Sequence, residues 1–230
     1  IQYPKQFNKE YKDFIIVLSK LSELNNIKDL PFDTNSLAQS KELEKNLKEH
    51  LYYESFVKSN NSRSFHNIKL ILMQKFKNNQ YIFEGSKLFS KFNKKQIEEL
   101  NFVFTTRLIN NYNNLCSNFL FGFLLKSYSF SKYKKNKIKH EVKNINIFNS
   151  KKNKFKIFNY LNNLLTSINF TKDLVSEPAN ILNPVTYAER CLKLKKIGLK
   201  VKVLNMQQIE KIGMGSLLGV SQGSINEPRV

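Results

Sequence analysis

Short apolar runs rich in β-branched and aromatic residues alternate, along the front of the chain, with stretches of helical spacing. That alternation restricts the fold more than any other feature. Asp13-Phe14-Ile15-Ile16-Val17-Leu18 and the run from Ile68 to Met73 read as buried strands. Between them, Leu37, Leu43 and Leu47 recur among Glu and Lys from Ser36 to His50, the pattern of an amphipathic helix with a solvated outer face. After a turn expected at Gly85, Gln96 to Leu100 reads as helical and Asn101 to Thr105 as a third strand. Apolar spacing from Asn113 to Ser127 is again helical, and Val142, Ile145, Ile147 and Phe148 predict a further short strand. Strands separated by helices in this order predict an α/β domain built on a mainly parallel sheet.

Leu161, Leu164, Leu165, Ile168 and Val175 fall on one helical face, which predicts a long helix from about Phe155 to Ser176 with that face buried. Pro178 stops it, because a proline drives the preceding residue out of the helical region. Asn183-Pro184 is a helix start, with a capping side chain followed by a proline at the first helical position. Gly198 is the expected left-handed cap of that helix. Leu199, Val201 and Val203 alternate with Lys200 and Lys202 as a strand, and Gln207 to Ile212 is a short helix ending at Gly213. Residues 1–152 thus read as one α/β domain, and 153–230 as a linker helix followed by the first α/β unit of a second.

The charge is lopsided, with a formal net charge of +20. Such an excess ordinarily points to nucleic acid or an anionic surface. Here Lys occurs 34 times and Asn 30 times, but Arg only 4 and Ala only 3, the usage that codons rich in A and T produce. Phosphate recognition would favour Arg as well, whose planar fork grips phosphate through two hydrogen bonds. The excess is concentrated in 126–156, where eleven Lys face the single acid Glu141 and Tyr128, Phe130 and Tyr133 are interleaved. A nucleic-acid-binding module using this stretch is therefore the alternative reading, against a solvated loop and strand at a domain boundary.

The longest apolar run, Phe119 to Leu125, is far short of the roughly 20 residues that a bilayer span needs, so no membrane association is expected. Ile1 to Lys5 carry no cationic segment followed by an apolar one, hence no signal peptide is expected. Cys116 and Cys191 sit among apolar neighbours and read as free thiols in a reducing cytoplasm.

The most specific sequence lies near the end of the chain. Thr171-Lys172-Asp173-Leu174-Val175-Ser176-Glu177-Pro178-Ala179-Asn180 is followed by Asn183-Pro184 and by Tyr187-Ala188-Glu189-Arg190. Then comes Gly213-Met214-Gly215-Ser216-Leu217-Leu218-Gly219-Val220-Ser221-Gln222-Gly223-Ser224. In order and spacing these segments resemble the leucyl (cytosol) aminopeptidase family, with Lys172 where Arg is usual and Ser176 where Asn is usual. Upstream, Phe121 to Leu125 with Ser127 to Phe130 and Tyr133-Lys134 is similar to the end of that family's amino-terminal domain. The resemblance implies a macro-domain-like sheet in the first domain and the opening of the catalytic domain in the second. It further implies a cytoplasmic homo-hexamer that releases amino-terminal residues from peptides with two divalent metal ions, manganese or zinc, in the full-length enzyme. Paired metals would supply hydroxide near neutral pH and polarise the scissile carbonyl.

The family's ligand motifs, with Asp, Glu and Lys, do not occur in this sequence. The three His, His50, His66 and His140, form no metal-binding pair, and the acids past Val175, namely Glu177, Glu189, Glu210 and Glu227, fall on separate predicted elements. No residue of this segment is therefore expected to be catalytic, to bind a cofactor or to hold a metal. Asp173, Glu177 and Asn180 read as capping and hydrogen-bonding residues. Gly213, Gly215, Gly219 and Gly223 lack the following Lys and Ser/Thr of a phosphate cradle and read as turns and sites of close backbone approach.

Overall fold

In a computed structural model, residues 2–7, 11–27, 29–34, 43, 45–47, 52–60, 65–73, 80–91, 99–135, 144–148 and 156–230 are described. The chain forms two compact units, Ile1–Thr166 and Ser167–Val230.

The first unit is built on a five-stranded sheet of β1 (Asp13–Leu18), β2 (Tyr52–Lys58), β3 (Phe65–Leu72), β4 (Glu99–Phe104) and β5 (Asn144–Phe148), in the order β2-β3-β1-β4-β5. Strands β3, β1, β4 and β5 run parallel, and β2 pairs antiparallel to β3 at one edge. At the other edge Gln2 donates to Ile145 O and accepts from Ile147 N, at 2.8 and 2.9 Å. The mainly parallel α/β class expected from the sequence is the one observed.

Side chains alternate across the sheet as the two-residue strand period requires. One face carries Ile15, Val17, Ile71, Phe102, Phe104 and Ile147, and the other Phe14, Ile16, Leu18, Ile68, Leu70 and Val103, all buried. A parallel strand covered on both faces must be apolar throughout, which is why β1 reads as an unbroken run. The first face is covered by α1 (Tyr81–Lys91) and α2 (Thr106–Ser127), which contribute Leu88, Phe119, Leu120 and Phe123 to the same cluster. Leu24, Leu30, Phe32, Leu43 and Leu47 cover the second. Of the helix expected from Ser36 to His50, residues 43 and 45–47 are described and helical; Leu37 and the rest lie outside the described residues.

Four local expectations are corrected. Gly85 lies inside α1, not in a turn. There α1 crosses α2 at backbone contact: a Cβ on Gly85 would come within 3.0 Å of Phe119 O and Phe123 N, and one on Gly122 within 3.0 Å of Ile82 O. Ser86 Oγ bridges the two helices, donating toward Ile82 O (3.0 Å) and Gly122 O (2.9 Å). Glu99 and Leu100, expected at the end of a helix, instead open β4, because their backbones pair with Asn144 and Ile145 of β5. The helix expected from Asn113 begins earlier, at Thr106, and breaks at Tyr112 (φ −135°, ψ 30°). The edge strand β2 has no counterpart among the expected strands.

Helix α3 (Lys156–Ser176) matches the expected long helix. Its apolar stripe is buried at Phe158, Leu161 and Leu165, but Leu164 is 37% and Val175 82% exposed. The face is thus covered at its start and open by its end, contrary to the expectation that it is buried throughout. Leu165→Asp should lower unfolding stability by about 2–4 kcal/mol, since an uncompensated carboxylate would replace a buried apolar side chain. The same change at Val175 should cost less than about 0.5 kcal/mol. Urea unfolding of the two variants checks both.

Candidate functional site

The second unit carries the motif residues. Past the end of α3, Pro178 O accepts from the amides of Ile181 and Leu182, both at 2.9 Å, closing a turn. Glu177 anchors it: its carboxylate accepts from Arg190 Nη2 at 3.0 Å, and the Glu177 side chain is only 3% exposed. Asn180 is exposed in the turn.

Helix α4 (Pro184–Leu192) starts where expected. Asn183 Oδ1 accepts from the amides of Val185 and Thr186, and Thr186 Oγ1 accepts from Asn183 N, a complete capping box with proline at the first helical position. The helix tightens into a 3-10 turn, Lys193–Ile197, and ends at Gly198, whose φ of 90° is the left-handed value that favours glycine. Helix α5 (Met206–Ile212) repeats the scheme, with a capping box from Asn205 to Gln208 and a left-handed cap at Gly213.

Two readings of this region change. Residues 199–203 belong to no helix and no strand; next to them Leu204 exchanges two backbone hydrogen bonds with Val230, at 2.6 and 3.2 Å. A strand is defined by its partners, and alternation alone supplies none. Gly215 and Gly219 lie in helix α6 (Gly215–Ser221), and a Cβ added at either would meet nothing within 4 Å. Neither a turn nor a close approach within the described residues therefore requires them.

An open cleft of about 610 Å³ lies between α4 and residues 201–203, lined by Leu182, Pro184, Tyr187, Cys191, Val203 and Val230, with Lys202 and Arg229 also on its wall. The Cys191 thiol beside Tyr187 pushes that phenol above its ordinary range. No Asp, Glu or His side chain lines the cleft, which offers apolar surface, two cations and a single thiol, too few ligands to hold a metal ion.

The carboxylates of this unit are otherwise engaged or dispersed. Glu177 is held by Arg190, Glu227 lies 2.8 Å from Arg229, and Glu189 and Glu210 are exposed on different helices. Among the described residues no group of three His, Cys, Asp or Glu is placed to hold a metal ion. The residues present do not fit a two-metal centre, which needs several convergent oxygen ligands. Of the second unit's large aliphatic and aromatic side chains only Ile209 is buried, whereas Ile197, Val220 and Ile225 are 74%, 84% and 101% exposed.

Of the basic stretch 126–156, the described residues are 126–135, 144–148 and 156; the other lysines lie outside them. Ile145, Ile147 and Phe148 are core residues of β5. Phe130 packs edge-on against Tyr133 at 5.9 Å, and Lys132 lies over the Tyr133 ring. These are contacts within the stretch itself. No helix among the described residues is long and apolar enough to cross a membrane. Both cysteines are free thiols; burial pushes Cys116 up to about 12, while Cys191 is half-buried.

Residues 169–230 match the family described as the cytosol aminopeptidase family, catalytic domain. The chain is 42% identical over 123 residues to a probable cytosol aminopeptidase of Phytoplasma australiense, covering 52% of this chain and 25% of that protein. It is 36% identical over 142 residues to one from Sulfurihydrogenibium, covering 59% and 28%, and 40% identical over 115 residues to one from Brucella melitensis, covering 47% and 24%. The matches thus span about a quarter of the length of these relatives. In fold, the chain superposes on a point mutant of tomato leucine aminopeptidase with a TM-score of 0.66 at 16% identity, covering 99% of this chain and 49% of that one. The motif segments of 171–224 lie inside the matched region, and in that part the chain is similar to the catalytic domain of the cytosol aminopeptidase family.

Proposed function

We propose that the chain is the front part of a metal-dependent leucyl aminopeptidase that releases amino-terminal residues from peptides. In this reading, 1–152 form the amino-terminal, macro-like domain, and 153–230 form the linker helix and the beginning of the catalytic domain. The two divalent metals, manganese or zinc, are bound by residues of the protein outside this segment. The full protein works as a cytoplasmic hexamer.

The observation that carries the reading is the match of 169–230 to the catalytic-domain family, joined to the state of the second unit. A unit of this size with a single large apolar side chain buried cannot supply a core of its own, since small domains are marginal even when well packed. The wide exposure of Ile197, Val220 and Ile225 is what one layer of a larger domain presents to the layers that follow.

The test is a side-by-side assay of the purified 230-residue chain and the full-length protein on a leucine amide, with manganese or zinc. Metal-dependent hydrolysis is expected from the full-length protein only, and the short chain should bind neither metal tightly. Chelator-sensitive activity in the 230-residue chain would place the ligands within these 230 residues and overturn the assignment.

A further inference from the structure

The connections of the first unit leave the sheet in opposite directions. From β1 the chain passes to β2 and β3 on one side, and from β4 to β5 on the other. In open α/β sheets the connections that leave two such neighbouring parallel strands diverge, and ligands bind in the crevice outside their carboxy-terminal ends. Here the first residues past those ends are Ser19 and Thr105, and Thr105 also caps α2, its Oγ1 accepting from Leu108 N at 3.4 Å.

The crevice is not empty. Glu23, on the 3-10 turn Leu21–Asn26 that follows β1, directs its carboxylate into it. Oε2 accepts from Ser19 N at 3.1 Å and from Thr105 Oγ1 at 2.6 Å; Oε1 accepts from Ser19 Oγ, and Arg107 Nε stands 3.8 Å away. Glu23, Ser19 and Thr105 are 8%, 3% and 5% exposed. One backbone amide, two hydroxyls and a guanidinium thus converge on one buried anion. Burial opposes its charge, but the hydrogen bonds from Ser19 and Thr105, with Arg107 beside them, outweigh burial and hold the carboxyl below its usual range.

We propose that the crevice between the ends of β1 and β4 is an anion-binding site that the chain fills with its own Glu23 carboxylate, and that a small free carboxylate takes this place when the side chain is removed. The donors are those that an oxyanion ligand would need, and while Glu23 is seated no exogenous anion can reach them. The first unit is therefore sealed at the position where sheets of this topology take a ligand.

The probe is formate. Thermal unfolding of the 230-residue chain is compared in sodium formate and in sodium chloride at equal ionic strength. Glu23→Ala should unfold several degrees lower than the wild type in chloride and recover much of that loss in formate, saturably. The wild type should show no difference between the two salts. Glu23→Gln keeps the volume but sets an amide group against donors, so it should be destabilised and gain nothing from formate. If Glu23→Ala does not fold in chloride, the readout is the yield of refolding in the two salts. The same response to formate in wild type and Glu23→Ala, an equal refolding yield in both salts, or a Glu23→Gln variant as stable as the wild type would each overturn the proposal.

Discussion

Replacing Gly122 with alanine is expected to destabilise the first unit by about 3 kcal/mol or more, although only one methyl group is added. Overpacking usually costs about 1–3 kcal/mol because neighbouring side chains yield. Here the neighbour is backbone: the new Cβ would lie within 3.0 Å of the carbonyl oxygen, carbonyl carbon and Cα of Ile82. Relief requires α1 and α2 to move apart, which breaks the Ser86 Oγ contact to Gly122 O and opens the cluster that Leu88, Phe119 and Phe123 share with the sheet. For a domain of this size, a loss of that order lowers the melting temperature by roughly 6–12 °C. Gly85→Ala should behave alike, since its Cβ meets Phe119 O and Phe123 N. Gly219→Ala, with nothing within 4 Å, should be neutral or slightly stabilising through its better helix propensity. A Gly122→Ala midpoint within a degree of the wild type would mean that the two helices do not cross at backbone distance.

The same pair of glycines marks where sequence reasoning stops. A glycine after Tyr81-Ile82-Phe83-Glu84 reads as a turn among β-prone residues, whereas the cause is a helix 36 residues away along the chain, as the Ser86–Gly122 contact spans. Strand β1 is legible to the residue because burial on both faces leaves a continuous apolar run. Glu99-Leu100 misleads because local helix propensity competes with ladder pairing, and pairing with β5 prevails. Residues 199–203 fail in the opposite sense, having the right alternation but no described strand beside them. The caps at Asn183, Gly198 and Gly213 are legible because capping is settled within a few residues of sequence. The Glu177–Arg190 pair and the Ser19, Glu23 and Thr105 cluster are not, because their partners lie 13 and 82 residues apart. Short spacings carry local chemistry in the sequence itself, while a site assembled at strand ends becomes visible only with the strand order.

Phe123→Ala should cost about 3–5 kcal/mol, the range for deleting a fully buried aromatic side chain. Phe123 is 0% exposed and joins helix to sheet, with its ring edge-on to Phe89 of α1 at 5.2 Å and to Phe102 of β4 at 5.3 Å. Edge-to-face pairs add about 0.5–1.5 kcal/mol each beyond area burial, so truncation removes two such contacts together with the buried surface. The void cannot collapse easily. Phe102 is held parallel to Phe104, with 9° between the ring planes, and the glycine crossing fixes the helix spacing on the other side. Phe83→Ala provides the comparison: Phe83 lies on the same α1 but is 57% exposed and meets Lys87 through a cation–π contact of 4.5 Å. Its removal should change stability by about 0.5 kcal/mol or less. Denaturant unfolding of both variants gives the answer, with the m-value showing whether the folded state stays compact. Equal losses at Phe83 and Phe123 would mean that α1 and α2 do not pack on the sheet through the face assigned to them here.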